Sequence, residues 1–176
     1  MSTSETKLQD QEAIRKFKDL VADVNICMFT TLDADLHMSS RPMFTSAVDD
    51  DGNVWFFTNE FSEKISELSK DNIVHLIYAH PGKNIYVDVE GSCSLVIDRK
   101  KMDELWDPAL KQWFPDGLED TKMCLVKVST EKAHFWNNST SKMGLFFQMI
   151  ASIAKGDQYK ETEKGKLDLA PTPPES

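Results

Sequence analysis

The hydrophobic pattern of the chain is typical of many short strands with few helices. Residues 11–22 carry apolar side chains at helical spacing and predict an amphipathic helix. From residue 26 onward, runs rich in β-branched and aromatic residues alternate with turn sequences, as in antiparallel hairpins. The predicted strands are 26–32, 37–48, 54–58, 73–79, 84–97, 123–128 and 132–136.

The remaining helices are short or lie late in the chain. One is predicted over residues 99–106 with Asp98 as its N-cap, one begins near Ser62, and one spans residues 143–154. Because helices do not alternate regularly with strands, the six or seven strands are expected to close into a small antiparallel β-barrel with flanking helices. Residues 1–10 are predicted to be a flexible N-terminus, 11–155 one domain, and 156–176 a polar, disordered tail.

Charge and composition exclude several classes of partner. Lys and Arg number 20 and Asp and Glu 29, so the net charge is −9, which argues against binding to nucleic acid or to an anionic membrane. No apolar run approaches the ~20 residues of a membrane span. Three cysteines, Cys27, Cys93 and Cys124, lie in apolar stretches and predict buried free thiols. With a polar first 11 residues that lack the apolar stretch of a signal peptide, these features predict a cytoplasmic protein.

A candidate anion site lies where the strand ending at Thr58 gives way to the helix that begins near Ser62. Free N–H groups at a helix start and nearby hydroxyls can bind an anion. Lys64 in the first turn opposes the helix dipole, and a bound dianion would turn that mismatch into an attraction. An ordinary serine cap with a solvated lysine explains this stretch equally well.

Arg41 strengthens the anion hypothesis. It lies in the strand that pairs, across the turn at residues 49–53, with the strand ending at Thr58. Arg41 and Lys64 can therefore converge on one phosphate, with the arginine offering a bidentate fork. Pro42 removes a ladder donor and predicts an irregular or edge strand, which suits a planar ligand that hydrogen-bonds main-chain groups.

Five segments together resemble a known family. The segments are Arg41-Pro42-Met43, residues 56–64, residues 86–91, residues 105–108 and residues 113–118. The first three resemble the pyridoxamine 5′-phosphate oxidase-like flavoproteins, and the last two resemble their bacterial general stress protein branch. The resemblance implies a split β-barrel homodimer that binds FMN at its interface.

The resemblance also implies a set of cofactor residues. Arg41, Ser62 and Lys64 are expected near the phosphate, with Met43, Phe57 and Thr58 along the ribityl chain and the ring. Pro42 and the loop residue Trp113 complete the expected site, although packing or a dimer contact would equally explain Trp113. Tyr86 stands where the oxidases usually have a glutamine, and Glu63 stands where they usually have a second basic residue.

The function implied is that of an FMN-dependent oxidoreductase of unknown substrate. The true oxidases grip the vitamin phosphate with late arginines, and no arginine follows Arg99 here, which argues against pyridoxamine phosphate oxidation. No metal-ligand pattern is recognised. Two alternatives stay open: a flavin-binding stress protein without turnover, or the same barrel holding haem or a deazaflavin.

The anion hypothesis predicts a specific effect of Lys64→Ala. FMN binding should weaken by about 1.5–3 kcal/mol, the range for losing a hydrogen bond to a charged group, or about ten- to a hundredfold in affinity. The stability of the apo-protein should stay the same or rise slightly, because alanine is a good helix former. Fluorescence titration with FMN and urea unfolding measure the two effects. Lys127→Ala is the control, and unchanged affinity in both variants would identify Lys64 as a solvated lysine.

Overall fold

The hairpins fold into one closed barrel. The computed structural model describes residues 6–7, 10–32, 35–59, 72–137 and 164–169. The helices are α1 (Asp10–Ala22) and α2 (Arg99–Leu105), followed by two 3-10 turns, Pro108–Gln112 and Gly117–Glu119. The strands are β1 (Thr6–Lys7), β2 (Ile26–Leu32), β3 (Met38–Val48), β4 (Val54–Thr58), β5 (Ile73–His80), β6 (Ile85–Val96), β7 (Cys124–Asn137) and β8 (Lys164–Asp168).

Strands β2 to β7 form the barrel that the hairpin pattern predicts. Their order is β7-β4-β3-β2-β5-β6, and β6 pairs back with β7, so the sheet closes with every pair antiparallel. Closure removes the exposed edges that an open sheet of this length would present. The prediction of a mostly β barrel with flanking helices is therefore confirmed.

Alternating side chains of the strands fill the barrel. Phe29, Phe56 and Leu76 are at most 1% exposed, and the apolar face of α1, including Phe17, joins the same core. The buried hydroxyls of Thr45 and Tyr78 are hydrogen-bonded to each other at 2.8 Å, which satisfies two polar groups inside the core. A second, smaller core lies between the barrel and the segment that holds α2 and the 3-10 turns.

The turn between β3 and β4 is held by one carboxylate. Asp49 accepts hydrogen bonds from the backbone and side chain of Asn53 and from the indole N–H of Trp55. Burial raises the pKa of Asp49, but these hydrogen bonds outweigh it and lower that pKa below its ordinary value. Gly52 has a φ of +80°, a backbone angle that residues with a side chain rarely adopt. Glycine at this position therefore allows the turn that leads into β4.

Strand β7 corrects one expectation from the sequence. Residues 123–128 and 132–136 were expected to form separate strands because residues 129–131 between them are polar, yet they belong to one strand. Thr130 is buried, and its hydroxyl donates to the carbonyl of Gly52 at 2.7 Å, so a polar residue is accommodated inside the strand. Along one edge, β7 pairs first with β4 and then with β8.

The two chain ends also differ from the predicted tails. Residues 6–7 of the predicted flexible N-terminus form β1, and residues 164–168 of the predicted disordered tail form β8, which pairs with β1 and β7. In the structure these residues are strands. Leu167 on β8 is fully buried, which explains why so polar a segment is held. The helices predicted near Ser62 and over 143–154 lie outside the described residues.

Other local predictions are confirmed. Asp98 caps α2 by accepting the N–H of Lys101 at 3.1 Å, and Cys27, Cys93 and Cys124 are free and buried. None of the helices in the described part of the chain is both long enough and apolar enough to cross a membrane.

The role of β8 can be tested by Leu167→Ala. Removing a fully buried leucine side chain should lower the free energy of unfolding by about 2–5 kcal/mol, because a cavity is left between β8 and the core. Urea unfolding measures this change. The control is Lys166→Ala, an exposed side chain on the same strand, which should stay within about 0.5 kcal/mol of wild type. Equal stability of the two variants would mean that β8 does not pack in solution.

Candidate functional site

The barrel opens between β3 and β4. The two strands pair only near the turn, from Val48 with Val54 to Thr45 with Phe56, and a bulge interrupts even that stretch. Residues 38–44 of β3 continue along β2, and the pairing of β3 with β4 does not extend to them. The strands therefore diverge and leave a cleft.

The cleft has a volume of about 210 Å³. It is bounded by β3, by the end of β4 and by the segment that follows α2. Its lining residues are Arg41, Pro42, Met43, Phe44, Phe57, Thr58, Asn59, Leu110, Trp113 and Phe114.

Pro42 is placed where its missing N–H costs no sheet hydrogen bond. The amide of Thr45 donates to the carbonyl of Asn25, beside β2, at 2.8 Å. Because N–H groups alternate between the two edges of a strand, residues 41, 43 and 45 face β2 and position 42 faces the cleft. Pro42 thus lies on the edge of β3 that faces the cleft, where the backbone can present main-chain groups to a ligand.

Arg41 brings a positive charge to the mouth of the barrel. Its guanidinium carbon lies 5.5 Å from the centre of the Phe29 ring, a cation–π contact with a fully buried side chain. Burial raises the pKa of Cys93 on the inner face of β6 to about 11, and the nearby charge of Arg41 partly opposes that rise. Among the described lining residues, Arg41 is the one ionisable side chain.

The remaining walls are largely aromatic. The ring of Trp113 stacks on Phe44 with centroids 5.5 Å apart and planes inclined by 25°. Phe57 contacts Phe114 at 6.3 Å and Trp106 edge-on at 5.5 Å, which fixes the segment after α2 against β4. A planar apolar ring can be enclosed by such walls.

Thr58 and Asn59 supply the neutral polar groups of the cleft. Thr58 is the last residue of β4 and pairs with Cys124 on β7, and Asn59 follows it. A hydroxyl and a carboxamide can donate to and accept from the hydroxyls or carbonyls of a ligand.

The buried thiols stand apart from the cleft. Burial raises the pKa of Cys27 to about 12 and also raises the pKa of Cys124, so both thiols stay protonated and weakly nucleophilic at neutral pH. No group of three His, Cys, Asp or Glu side chains in the described ranges is arranged to hold a metal ion.

The structure brings together six of the residues predicted from sequence: Arg41, Pro42, Met43, Phe57, Thr58 and Trp113. Ser62, Glu63 and Lys64 lie outside the described residues. Phe44, Asn59, Leu110 and Phe114 were not predicted, although three of them adjoin predicted residues in sequence.

Tyr86 is not brought to the cleft of its own chain. It pairs with Ala79 on β5, and the same row of the sheet continues through Ile26 on β2 to Phe44. Three strand spacings of about 4.8 Å separate Tyr86 from Phe44, about 14 Å in all. The two residues lie on the same outer face of the barrel, at its two sides.

Comparisons with known proteins agree on one family. A family model described as pyridoxamine 5′-phosphate oxidase like matches residues 12–160. Protein bli-3 of Neurospora crassa is 25% identical over 162 residues, 86% of this chain and 76% of that protein.

Solved structures share the fold. A general stress protein 26 from Jannaschia sp. CCS1 has a TM-score of 0.69 and 20% identity, covering 89% of this chain and 98% of that chain. The general stress FMN/FAD binding protein of Xanthomonas citri has a TM-score of 0.59 and 27% identity, covering 73% of this chain and 90% of that chain.

Proposed function

Because the chain belongs to the pyridoxamine 5′-phosphate oxidase-like family, we propose that it binds FMN in the cleft between β3 and β4 and acts as an oxidoreductase. The observation that carries the proposal is the composition of the cleft. It combines one cation, two neutral polar residues, a strand edge and aromatic walls. These groups fit a ligand that has a planar ring, a hydroxylated chain and an anionic end.

Different residues of the cleft bind different parts of FMN. Arg41 holds the phosphate, and Ser62 and Lys64, with Glu63 beside them, complete that end as the family resemblance implies. Thr58 and Asn59 serve the hydroxylated chain, while Met43 and Phe57 pack along the ring and the β3 edge at Pro42 offers main-chain groups. The flavin supplies the redox chemistry, and the protein binds it, orients it and excludes water.

The cleft favours a flavin over haem. Haem needs an axial ligand, and among the described lining residues only Met43 is of a type that ligates haem iron. Arg41 is the one ionisable side chain among the described lining residues, so these residues include no acid–base pair. They therefore do not distinguish an enzyme from a flavin-binding stress protein without turnover. The visible absorption spectrum of the protein as purified distinguishes flavin, deazaflavin and haem.

The FMN proposal predicts a coupling between Arg41 and the ligand's phosphate. FMN should bind with about one site per chain and quench flavin fluorescence, and riboflavin should bind more weakly. Arg41→Gln should weaken FMN binding by about 1.5–3 kcal/mol, or roughly ten- to a hundredfold, and should hardly change riboflavin binding. Fluorescence titration of both ligands against both proteins measures the coupling.

Arg15→Gln is the matched control, since Arg15 lies exposed on α1 outside the cleft. It should leave both affinities unchanged. Equal affinity of wild-type protein for FMN and riboflavin would contradict the phosphate clamp, and an absence of binding to either would contradict the proposed function.

We further propose that the protein is a homodimer in the cytoplasm. Strands β3, β2, β5 and β6 carry on their outward side a set of exposed apolar residues, here called the outer apolar face. Its members are Ile26, Met28, Leu32, Met38, Ile73, Ile77 and Tyr86. Exposed apolar residues in such number on one side of a sheet are typical of an interface.

Four polar side chains within the outer apolar face lie close to one another in two pairs. The hydroxyls of Thr30 and Ser40 lie 2.7 Å apart, and Nε2 of His75 lies 2.7 Å from Oδ1 of Asp88. These contacts lower the cost of burying the four side chains. The outer apolar face also extends from Tyr86 to Phe44 at the cleft. A second copy of the chain that packs on this face would therefore bring its own Tyr86 side chain towards the cofactor.

The dimer proposal predicts a species of twice the 20.0 kDa chain mass at micromolar concentration. Ile77→Glu should yield monomers, because it places a like charge of each copy in a buried apolar surface. Light scattering coupled to size exclusion measures the mass. Ile97→Glu is the control, since Ile97 is 70% exposed and lies outside the outer apolar face. Monomeric wild-type protein with FMN bound would refute the dimer.

A further inference from the structure

Strand β3 changes its partner at Thr45. Its regular pairing with β2 ends at Phe44, which lies opposite Ile26, and its pairing with β4 begins at Thr45, which lies opposite Phe56. A bulge follows directly, between Thr45 and Ala47. Since a bulge bends a strand and interrupts its ladder, sheet hydrogen bonds alone do not set the direction of β3 at this point.

The side chain of Thr45 is held from across the barrel. It is buried, and its hydroxyl lies 2.8 Å from the hydroxyl of Tyr78, a fully buried residue of β5. The hydroxyl of Tyr78 also hydrogen-bonds the thiol of Cys27 on β2. One hydroxyl group therefore links β5 to both β2 and β3. Because these side chains lie inside the barrel, the link does not depend on what packs against its outside.

The link lies directly behind the cleft. Tyr78 pairs with Cys27, and Cys27 pairs with Met43, so the three residues share one row of the sheet. Met43 lines the cleft and also packs against the core of the barrel. Residues 41–44, which all line the cleft, come immediately before Thr45. The position of the wall that they form therefore depends on how Thr45 is held.

We propose that Tyr78 is a positioning residue for the flavin, because its hydroxyl holds Thr45 and thereby sets how far the β3 wall of the cleft stands from β4; this inference rests on the proposed FMN site. In that site Met43, two positions before Thr45, packs along the ring, whereas Arg41, four positions before it, holds the phosphate. The hydroxyl of Tyr78 therefore acts on the fit of the ring and not on the phosphate clamp.

The test compares FMN and riboflavin titrations of wild-type protein and Tyr78→Phe, which keeps the ring in the core and removes only the hydroxyl. Both affinities should fall by the same factor, about three- to tenfold, because the ligand must then order a wall that the hydroxyl no longer holds. This pattern differs from that of Arg41→Gln, which should weaken FMN binding alone. Flavin fluorescence measures all of these affinities.

Two substitutions of Thr45 test the other end of the bond. Thr45→Ser keeps a hydroxyl and should bind both ligands as wild type does. Thr45→Val replaces the hydroxyl with a methyl group and should match Tyr78→Phe. The double variant Tyr78→Phe/Thr45→Val should lose no more affinity than either single variant, because the same bond is removed in all three. The contrast between serine and valine carries the test if Tyr78→Phe does not fold.

Thr130→Val is the matched control for stability. The hydroxyl of Thr130 is also buried and donates to the carbonyl of Gly52 at 2.7 Å, at the turn between β3 and β4 and away from the cleft. Its loss should lower the melting temperature of the flavin-free protein, as the loss of the Tyr78 hydroxyl does, because a buried hydrogen bond is removed in each case. Both flavin affinities of Thr130→Val should nevertheless equal those of wild type.

Four results would overturn the inference. The flavin affinities of Tyr78→Phe could equal those of wild type, the affinity for FMN alone could fall, or the losses in the double variant could add. Alternatively, Thr130→Val could weaken flavin binding as much as Tyr78→Phe does, which would make the Tyr78 hydroxyl a contribution to stability only. Wild-type protein that binds neither FMN nor riboflavin would instead contradict the proposed function itself, and the inference with it.

Discussion

The end of β3–β4 pairing at Thr45 is the constraint on which the site depends. The barrel still closes, because β4 pairs with β7 and β3 pairs with β2. Strands β3 and β4 pair near their turn and diverge further along, which opens a cleft in an otherwise closed barrel. Pro42 lies on the edge of β3 that faces the cleft, where its lack of an N–H removes one donor that would otherwise need a partner.

The segment inserted between β6 and β7 forms the wall of the cleft that the strands do not provide. It is held by its own small core, in which Met102, Leu110 and Met123 pack against Trp55 and Phe57 on the outside of the barrel. Lys101 and Lys127 both lie over the ring of Trp55, at 5.3 and 5.7 Å, which further stabilises this side. The rigid barrel thus sets the position of Arg41, while the inserted segment sets the position of Trp113.

Much of this arrangement could be predicted from sequence because local patterns determine it. Alternation predicts the barrel strands, the acidic turn before Gly52 predicts the β3–β4 hairpin, and that hairpin brings Arg41 towards Thr58. The continuity of β7 could not be predicted, because the bond from Thr130 to Gly52 joins residues 78 positions apart. Strand β8 was missed for the same reason: its stability comes from the burial of Leu167 against distant strands.

The residues predicted to bind a cofactor show the same limit. Phe44 directly follows the predicted run of residues 41–43, but its stacking on Trp113 depends on how a distant segment folds back on the barrel. Tyr86 was placed at the site by family resemblance, and strand order puts it about 14 Å from Phe44. A residue assigned by resemblance can therefore belong to the same surface without reaching the same pocket of one chain.

The balance of charge explains how such a site can retain an anion. The chain carries a net charge of −9, so its long-range field repels a phosphate ester. That field is screened beyond a Debye length of about 8 Å at physiological ionic strength. Arg41 lies at the mouth of an apolar barrel, where the dielectric is lower and a contact ion pair is stronger than at the surface. Retention of the FMN proposed to bind here would therefore depend on direct contacts in the cleft and not on electrostatic steering.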